Sequence, residues 1–397
     1  MNNIKRMKAI FISFILLLFL TGCWSSREID TLGVYVGLAL DVGKEPELEQ
    51  ELTEKGADYP KKNLVTSTIQ IIPVQTGKGG QQQQGSTSSM FSNSSETGDS
   101  VFQSLRQHAL SEHRTIIGHH LKVIVISSEL SQKIDIEKLL KFILRDNDIR
   151  PSCIVLLSTG KASETLITNQ LGDIPAFHLK SLIENQNRSN KILPEVTLTK
   201  LDGIMNSGAS FILQNVVSSK GQVEFAGAGV IKGKTNKWIG SLNEQEVEAL
   251  SWITGKVKGG VIKTYDDTGE VLAYEIKSVN TKIKSKVDGD DISFHLSIKS
   301  DGRLIENWNT SKDPTDTEYL KKTEQYFEEE LKDMLYKVVH KMQEEYHVDV
   351  AGFRDRLRIQ HPRVWKKVKE DWDDTFSKSE ITYDVDLNIT DYGSSAK

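Results

Sequence analysis

The run 121-LKVIVIS-127 is short and apolar and reads as a β-strand; the segments on either side decide which kind of sheet it joins. A helical stretch precedes it near 101–112 and another follows at 131–144. Next come a strand at 153–158, inside 152-SCIVLLST-159, and a helix starting at Ala162. Strands alternating with helices of this length imply β-α-β crossovers and therefore some parallel pairing. Upstream, 32-LGVYVGLALDV-42 places Leu32, Val34, Val36, Leu38 and Leu40 at alternate positions, and 64-LVTSTIQII-72 is a second extended segment ending at Pro73. The first part of the chain is therefore mixed α/β. The tract 75–100, QTGKGGQQQQGSTSSMFSNSSETGDS, has almost no apolar content to offset its ordering entropy, so it is expected to be a flexible Gln/Ser-rich insertion.

After the polar stretch 184-ENQNRSNK-191 and Pro194 the pattern changes, which places a boundary near residue 200. A smaller unit follows, with 223-VEFAGAGVIKG-233, a turn and 237-KWIGSL-242. Asn243 with Glu246 three residues on has the capping-box spacing that opens a helix. The segment 258–277 reads as two strands around Asp266-Asp267-Thr268-Gly269, and 276–287 and 291–300 as strands joined through Asp288-Gly289-Asp290. The stretch 379-SEITYDVDLNIT-390 alternates as a last strand. Between them, Leu320, Phe327, Leu331, Met334, Leu335, Val338 and Met342 recur at helical steps, giving a long amphipathic helix over 317–346 whose apolar stripe packs on its own sheet. The expected class is α+β: three mixed α/β domains with predominantly mixed or antiparallel sheets. The expected bounds are 23–200 (N-terminal, carrying the insertion 75–100), 201–270 (small middle) and 271–397 (C-terminal, with the long helix).

The N-terminus carries its own signal. Lys5, Arg6 and Lys8 precede the apolar run 9-AIFISFILLLFL-20, which stops after twelve residues and is too short for the ~20 that span a bilayer. Basic start, apolar run and small-residue exit make residues 1–22 a secretory signal. Its exit, Leu20-Thr21-Gly22-Cys23, resembles a bacterial lipobox, in which the cysteine is acylated and becomes the new N-terminus. Cys23 is thus the expected lipidation site, and the chain is expected to be anchored rather than spanning, on the extracytoplasmic face. Without its +3 signal the net charge of −5 becomes −8, which argues against a nucleic-acid partner. Cys153 is then without an intrachain partner and is read as a small core residue.

Motifs for chemistry are sparse. The segment 228-AGVIKGKT-235 ends like a phosphate-binding loop but begins with Ala, and Asn236 and the strand-like 237-KWI-239 follow where a helix is needed, so a hairpin is expected. His108, His113, His119 and His120 do not share a face, and no metal site is expected. No catalytic residue and no cofactor beyond the lipid on Cys23 is assigned. The stretch 354-RDRLRIQHPRVWKKVK-369 holds seven Lys/Arg against one Asp; 370-EDWDD-374 follows at once and is expected to neutralise it locally.

The ordered set of segments carries more than any single motif. Cys23-Trp24, Arg27-Glu28-Ile29-Asp30 and 33-GVYVGLALD-41 are followed by 118-GHHLKVIVISSEL-130, 144-LRDNDIRPS-152 and 227-GAGVIKGKTNKWIGSLNEQEVEALSWITGK-256. The long helix and 349-DVAGFRDRLRIQHPRVWKKVKEDW-372 complete the set. Together they resemble the Ger(x)C family, the C-subunit lipoproteins of nutrient germinant receptors in endospore-forming bacteria. The resemblance covers essentially the whole mature chain; the Gln/Ser-rich insertion departs from it. It implies a non-enzymatic three-domain ectodomain on the outer surface of the inner spore membrane, working with integral membrane A and B subunits. Of functional residues it carries over only the lipidated cysteine, Cys23, and names no ligand-binding residue. The main alternative is a lipid-anchored solute-binding protein of a transporter, which needs two similar lobes around a cleft where three unequal units are read.

Overall fold

The computed structural model describes residues 32–44, 62–73, 90–112, 114–146 and 148–392, with Met7 and Lys55 as isolated positions. Cys23 and the signal segment lie outside them.

The first half builds one nine-stranded sheet. Its strands are β1 (Leu32–Val42), β2 (Val65–Pro73), β3 (Ser92–Gly98), β4 (Thr115–Ile117), β5 (Val123–Ser127), β6 (Ile154–Ser158), β7 (Phe211–Ser219), β8 (Gln222–Lys232) and β9 (Lys237–Leu242). The order is β3-β2-β1-β5-β6-β7-β8-β9, with β4 pairing the start of β1. The central pairs β1–β5, β5–β6 and β6–β7 are parallel, and the flanking pairs are antiparallel. The parallel pairing expected around 121-LKVIVIS-127 is therefore present. Every residue of β5 and β6 is buried, because helices cover both faces as crossovers of parallel strands require. On one face lie α1 (Val101–Ser111), α2 (Ser128–Lys133), α3 (Ile136–Leu140) and, later in the chain, α5 (Leu198–Asn206); Leu130, Leu139, Leu201 and Met205 meet Leu40, Ile126 and Leu157 there. On the other lies α4 (Pro175–Leu182), where Ala176 and Leu179 meet Val125 and Leu156.

Four expectations need correction here. The tract 75–100 is not wholly a flexible excursion: β3 occupies its last part and pairs antiparallel with β2. Its backbone is satisfied by the ladder, and polar side chains replace apolar packing. Thr66 and Thr97 hydroxyls lie 2.7 Å apart, Thr68 and Ser95 hydroxyls 2.8 Å, and Gln70 Nε2 donates to Asn93 Oδ1 at 3.2 Å. Residues 75–89 fall outside the described set. The helix read at 131–144 is two short helices, because Asp135 accepts from Glu137 N–H and restarts the chain as a new N-cap. The helix read from Ala162 is a single 3₁₀ turn, Ala162–Leu166. The boundary expected near residue 200 falls between β6 and β7, neighbours in this one sheet.

The second half follows α6 (Glu244–Thr254). A four-stranded mixed sheet of β10 (Val261–Tyr265), β11 (Val271–Asp288), β12 (Asp291–Asn307) and β13 (Glu380–Asp391) packs under α7 (Thr317–His340), which continues as a π turn through Glu345. The helices α8 (Phe353–Gln360), α9 (Pro362–Val368) and α10 (Trp372–Lys378) complete the covered face. Burial along β12 alternates, as one wet face demands. The stripe of α7 packs on this sheet as its spacing implies: Phe327, Leu331, Leu335 and Val338 are fully buried among Leu272, Leu296 and Leu387. At the far end Phe294, Phe353, Trp372 and Phe376 form an aromatic cluster, with Phe353 centred 5.1 Å from Phe294 and 5.4 Å from Phe376.

Side chains occupy open backbone groups of β13 and of the part of β11 that extends beyond β10. The β13 edge amides of Leu387 and Ile389 donate to Glu328 (3.1 Å) and Glu324 (2.7 Å), one turn apart on α7. On β11, beyond the short β10, Ser285 N–H donates to Gln360 Oε1 (2.7 Å), and Gln360 Nε2 donates to the Ile283 carbonyl (3.0 Å). Exposed edge groups that invite a foreign strand are thus occupied from within.

Candidate functional site

The residues that join the two sheets form a dense polar site. Asn243 caps α6: its side chain accepts from Glu246 N–H (2.9 Å), and the Glu246 carboxylate accepts from Asn243 N–H (2.7 Å), the reciprocal box the spacing predicts. That carboxylate also receives Lys341 Nζ at 2.9 and 3.0 Å in a half-buried ion pair, tying α6 to the end of α7. Tyr346 donates from Oη to the Ser241 carbonyl (2.8 Å), and its ring lies so close over Gly240 that a Cβ there would sit 2.5 Å from a ring carbon. A side chain at 240 would push the two units apart. The apolar face of α6 belongs to both units, since Trp252, Leu250 and Val247 share a core with Ala228 and Val230 of β8 and with Leu272 and Leu331.

One further group in this junction is ionisable and almost fully enclosed. Glu248 is 6% exposed and accepts Asn190 Nδ2 at 2.8 Å, while Ser251 Oγ donates to the Asn190 carbonyl at 3.0 Å. Burial pushes its pKa up to about 7 against the pull of the Asn190 hydrogen bond and the Lys191 charge. Beside the start of α6, Ile167, Gln170, Asp173, His178, Glu224 and Glu244 line an open cleft of about 430 Å³, in which His178 Nδ1 is 3.3 Å from Asp173.

The residues singled out by sequence are scattered. Cys23 and His113 lie outside the described residues. His108 is buried in α1 with Nδ1 3.1 Å from Ser94 Oγ, and burial lowers its pKa; His119 pairs with Asp148 at 3.3 Å on the surface. Among the described residues no three His, Cys, Asp or Glu side chains are placed to hold a metal. Lys234 and Thr235 sit in the turn between β8 and β9, with no helix behind them. Cys153 is 1% exposed in the core, and its thiol is pushed far up by burial. No helix among the described residues is long and apolar enough to cross a membrane.

The local neutralisation expected of the basic stretch is partial: Arg358 pairs with its own Asp355 (3.2 Å) and Lys369 with Glu370 (3.2 Å) of the acidic run that follows. Asp373 turns inward to the field of Lys232, Lys234 and Arg354, and Asp371 and Asp374 line a separate cleft near the β11–β12 turn. Arg356, Arg363, Lys366 and Lys367 are exposed and have no carboxylate partner among the described residues. Sequence reasoning missed the Asn190–Glu248 contact altogether, since 58 residues separate the pair and nothing local marks it.

Among the described residues, two sheets are joined at α6 by polar contacts from Lys341 and Tyr346. Comparisons with known proteins identify the family. Residues 25–217 match the model described as spore germination protein N-terminal domain, and residues 226–393 match spore germination B3/GerAC like, C-terminal. The spore germination protein YndF of Bacillus subtilis (strain 168) is 44% identical over 98% of this chain and 97% of its own length. Spore germination protein A3 of the same organism is 30% identical over 96% of each. The crystal structure of the GerBC protein matches with a TM-score of 0.60 and 27% identity, covering 89% of this chain and 97% of that one. The chain belongs to the Ger(x)C family of spore germination proteins. These relatives are named for spore germination, and the reading as a transporter's solute-binding protein finds no support among them.

Proposed function

We propose that the chain is a non-catalytic, lipid-anchored subunit of a nutrient germinant receptor, held at the outer surface of the inner spore membrane through Cys23 and assembled with integral membrane A and B subunits. The observation that carries this is the collinear match of both family domains across 25–217 and 226–393, together with a relative 44% identical along nearly its whole length. The junction supports a role in assembly: Lys341–Glu246 ties α6 to the end of α7, and Asn190–Glu248 ties it to the segment before α5. An anchor confines the ectodomain to a surface and raises its effective concentration toward membrane partners, so each contact can be weak.

Affinity purification of a tagged copy from detergent-solubilised spore membranes tests the assignment. The A and B subunits are expected in the eluate, and their loss is expected when Cys23→Ala prevents anchoring. A chain recovered without either subunit, from spores that contain both, contradicts the reading.

A further inference from the structure

The sheet topology fixes where an anchored chain meets its membrane. Strands β1, β5, β6 and β7 run parallel, so their starts share one end of the large sheet. Leu32 opens β1 at that end, and Cys23 precedes it by nine residues, about 30 Å at full extension. The start of β7 lies at the same end, and there Arg354 of α8 reaches over from the second unit, donating from Nη2 to the Ser207 carbonyl at 3.2 Å. The turn carrying Lys232 and Lys234 is at this end too, because Ile231 pairs with Phe211. Arg354, stacked on Trp365 of α9, thus ties α8 and α9 to the end of the large sheet at which β1 begins.

The net charge is negative, yet Arg356 on α8 and Arg363, Lys366 and Lys367 on α9 point outward with no carboxylate partner among the described residues. Ile359 is 63% exposed on α8, three residues after Arg356 and four before Arg363. The underside is rigid: Phe353, Leu357 and Trp365 are buried, and Arg354 stacks on the Trp365 ring at 5.3 Å. Of the carboxylates that follow in sequence, Glu370 pairs with Lys369, Asp373 lies in the field of Lys232, Lys234 and Arg354, and Asp371 and Asp374 line the cleft by the β11–β12 turn, so none pairs with these four cations.

We propose that the outward face of α8 and α9 docks on anionic lipid headgroups, fixing the orientation of the ectodomain on the membrane, with Ile359 entering the headgroup layer. The proposal rests on the anchor at Cys23. Basic residues near an anionic surface are attracted within a Debye length, so the contact is salt-sensitive and requires the short tether that the shared sheet end provides.

The test uses the full lipidated chain in vesicles, with an environment-sensitive fluorophore on Ile359→Cys and, as a control, on Leu171→Cys, a fully exposed position elsewhere. Cys153 is buried and Cys23 acylated, so labelling is selective. Vesicles are phosphatidylcholine alone or equal parts phosphatidylcholine and phosphatidylglycerol, each with a headgroup quencher. Quenching is expected at 359 in the anionic vesicles only, reversed by high salt and absent at 171. The quadruple variant R356Q/R363Q/K366Q/K367Q should lose it while still floating with the vesicles and melting at the parent temperature. Equal quenching at 359 in both lipids, or quenching that survives the quadruple variant, overturns the proposal with the anchor intact. Quenching that needs co-reconstituted membrane subunits also overturns it, in favour of an acidic protein partner. Failure to float with phosphatidylcholine removes the anchor; binding to anionic vesicles that depends on the four cations would then still uphold the docking face, and no binding would sink both.

Discussion

The large sheet is buried on both faces, while the small sheet has one face in water, and the two manage their edges by different means. At the β3 edge of the large sheet a strand of serines, asparagine and threonine carries the exposed ladder, with hydroxyls paired across to β2. In the small sheet, open groups of β13 are taken by Glu324 and Glu328 of α7, and those of β11 beyond the end of β10 by Gln360 of α8. A sheet packed on two faces gains enough from burial to tolerate a polar margin. A sheet packed on one face depends on its helices for both core and edges, so its stability should fall more steeply when those helices are damaged.

The sharpest way to break this comparison is Phe353→Ala. It opens the aromatic cluster on the small sheet's only covered face and should cost ~3–5 kcal/mol in urea unfolding. A loss below about 1 kcal/mol would mean that this face does not hold the unit. Next comes the junction. Glu248 binds its proton more tightly folded, with a pKa of about 7, than unfolded, near the ordinary 4.5. The stability tied to that proton is therefore full below pH 4.5 and lost as pH climbs to 7, roughly 3 kcal/mol in all. Glu248→Gln should flatten melting temperature between about pH 5 and 8 and stabilise the chain at the upper end; an unchanged slope would assign the pH dependence elsewhere.

Smaller effects follow. Removing both edge acceptors with Glu324→Ala and Glu328→Ala should cost ~1–2 kcal/mol. It should also produce concentration-dependent association visible by light scattering, and a monodisperse double variant would deny the edge-closing role. Asn243→Ala removes the cap of α6 and should cost ~1 kcal/mol by thermal melting. Least of all, Ser95→Ala at the polar edge of the large sheet should cost ~0.5 kcal/mol or less; a loss as large as that of the Glu324/Glu328 pair would erase the contrast between the edges.

Much of this fold was legible because its local signals agree with its packing. The run Val123–Ser127, the stripe of α7, the Asn243–Glu246 box and the turns at Asp266–Gly269 and Asp288–Asp290 each act within a few residues. What escaped depends on distant partners. The β3 strand has no apolar pattern, and only β2 makes it a strand; β7, α4 and α5 were likewise not singled out. The Asn190–Glu248 contact and the closing of β13 by α7 join residues far apart in sequence. The freedom of the basic face was hidden for the opposite reason: 370-EDWDD-374 is adjacent in sequence, but α10 turns Asp373 inward and leaves Arg363, Lys366 and Lys367 unneutralised.

The most direct test of the receptor reading is dipicolinic acid release from spores in which this gene is deleted and no other family member remains, challenged with a nutrient panel and separately with dodecylamine. Loss of the response to particular nutrients with the dodecylamine response intact is the predicted result. Nutrient responses equal to those of the parent spores would contradict it.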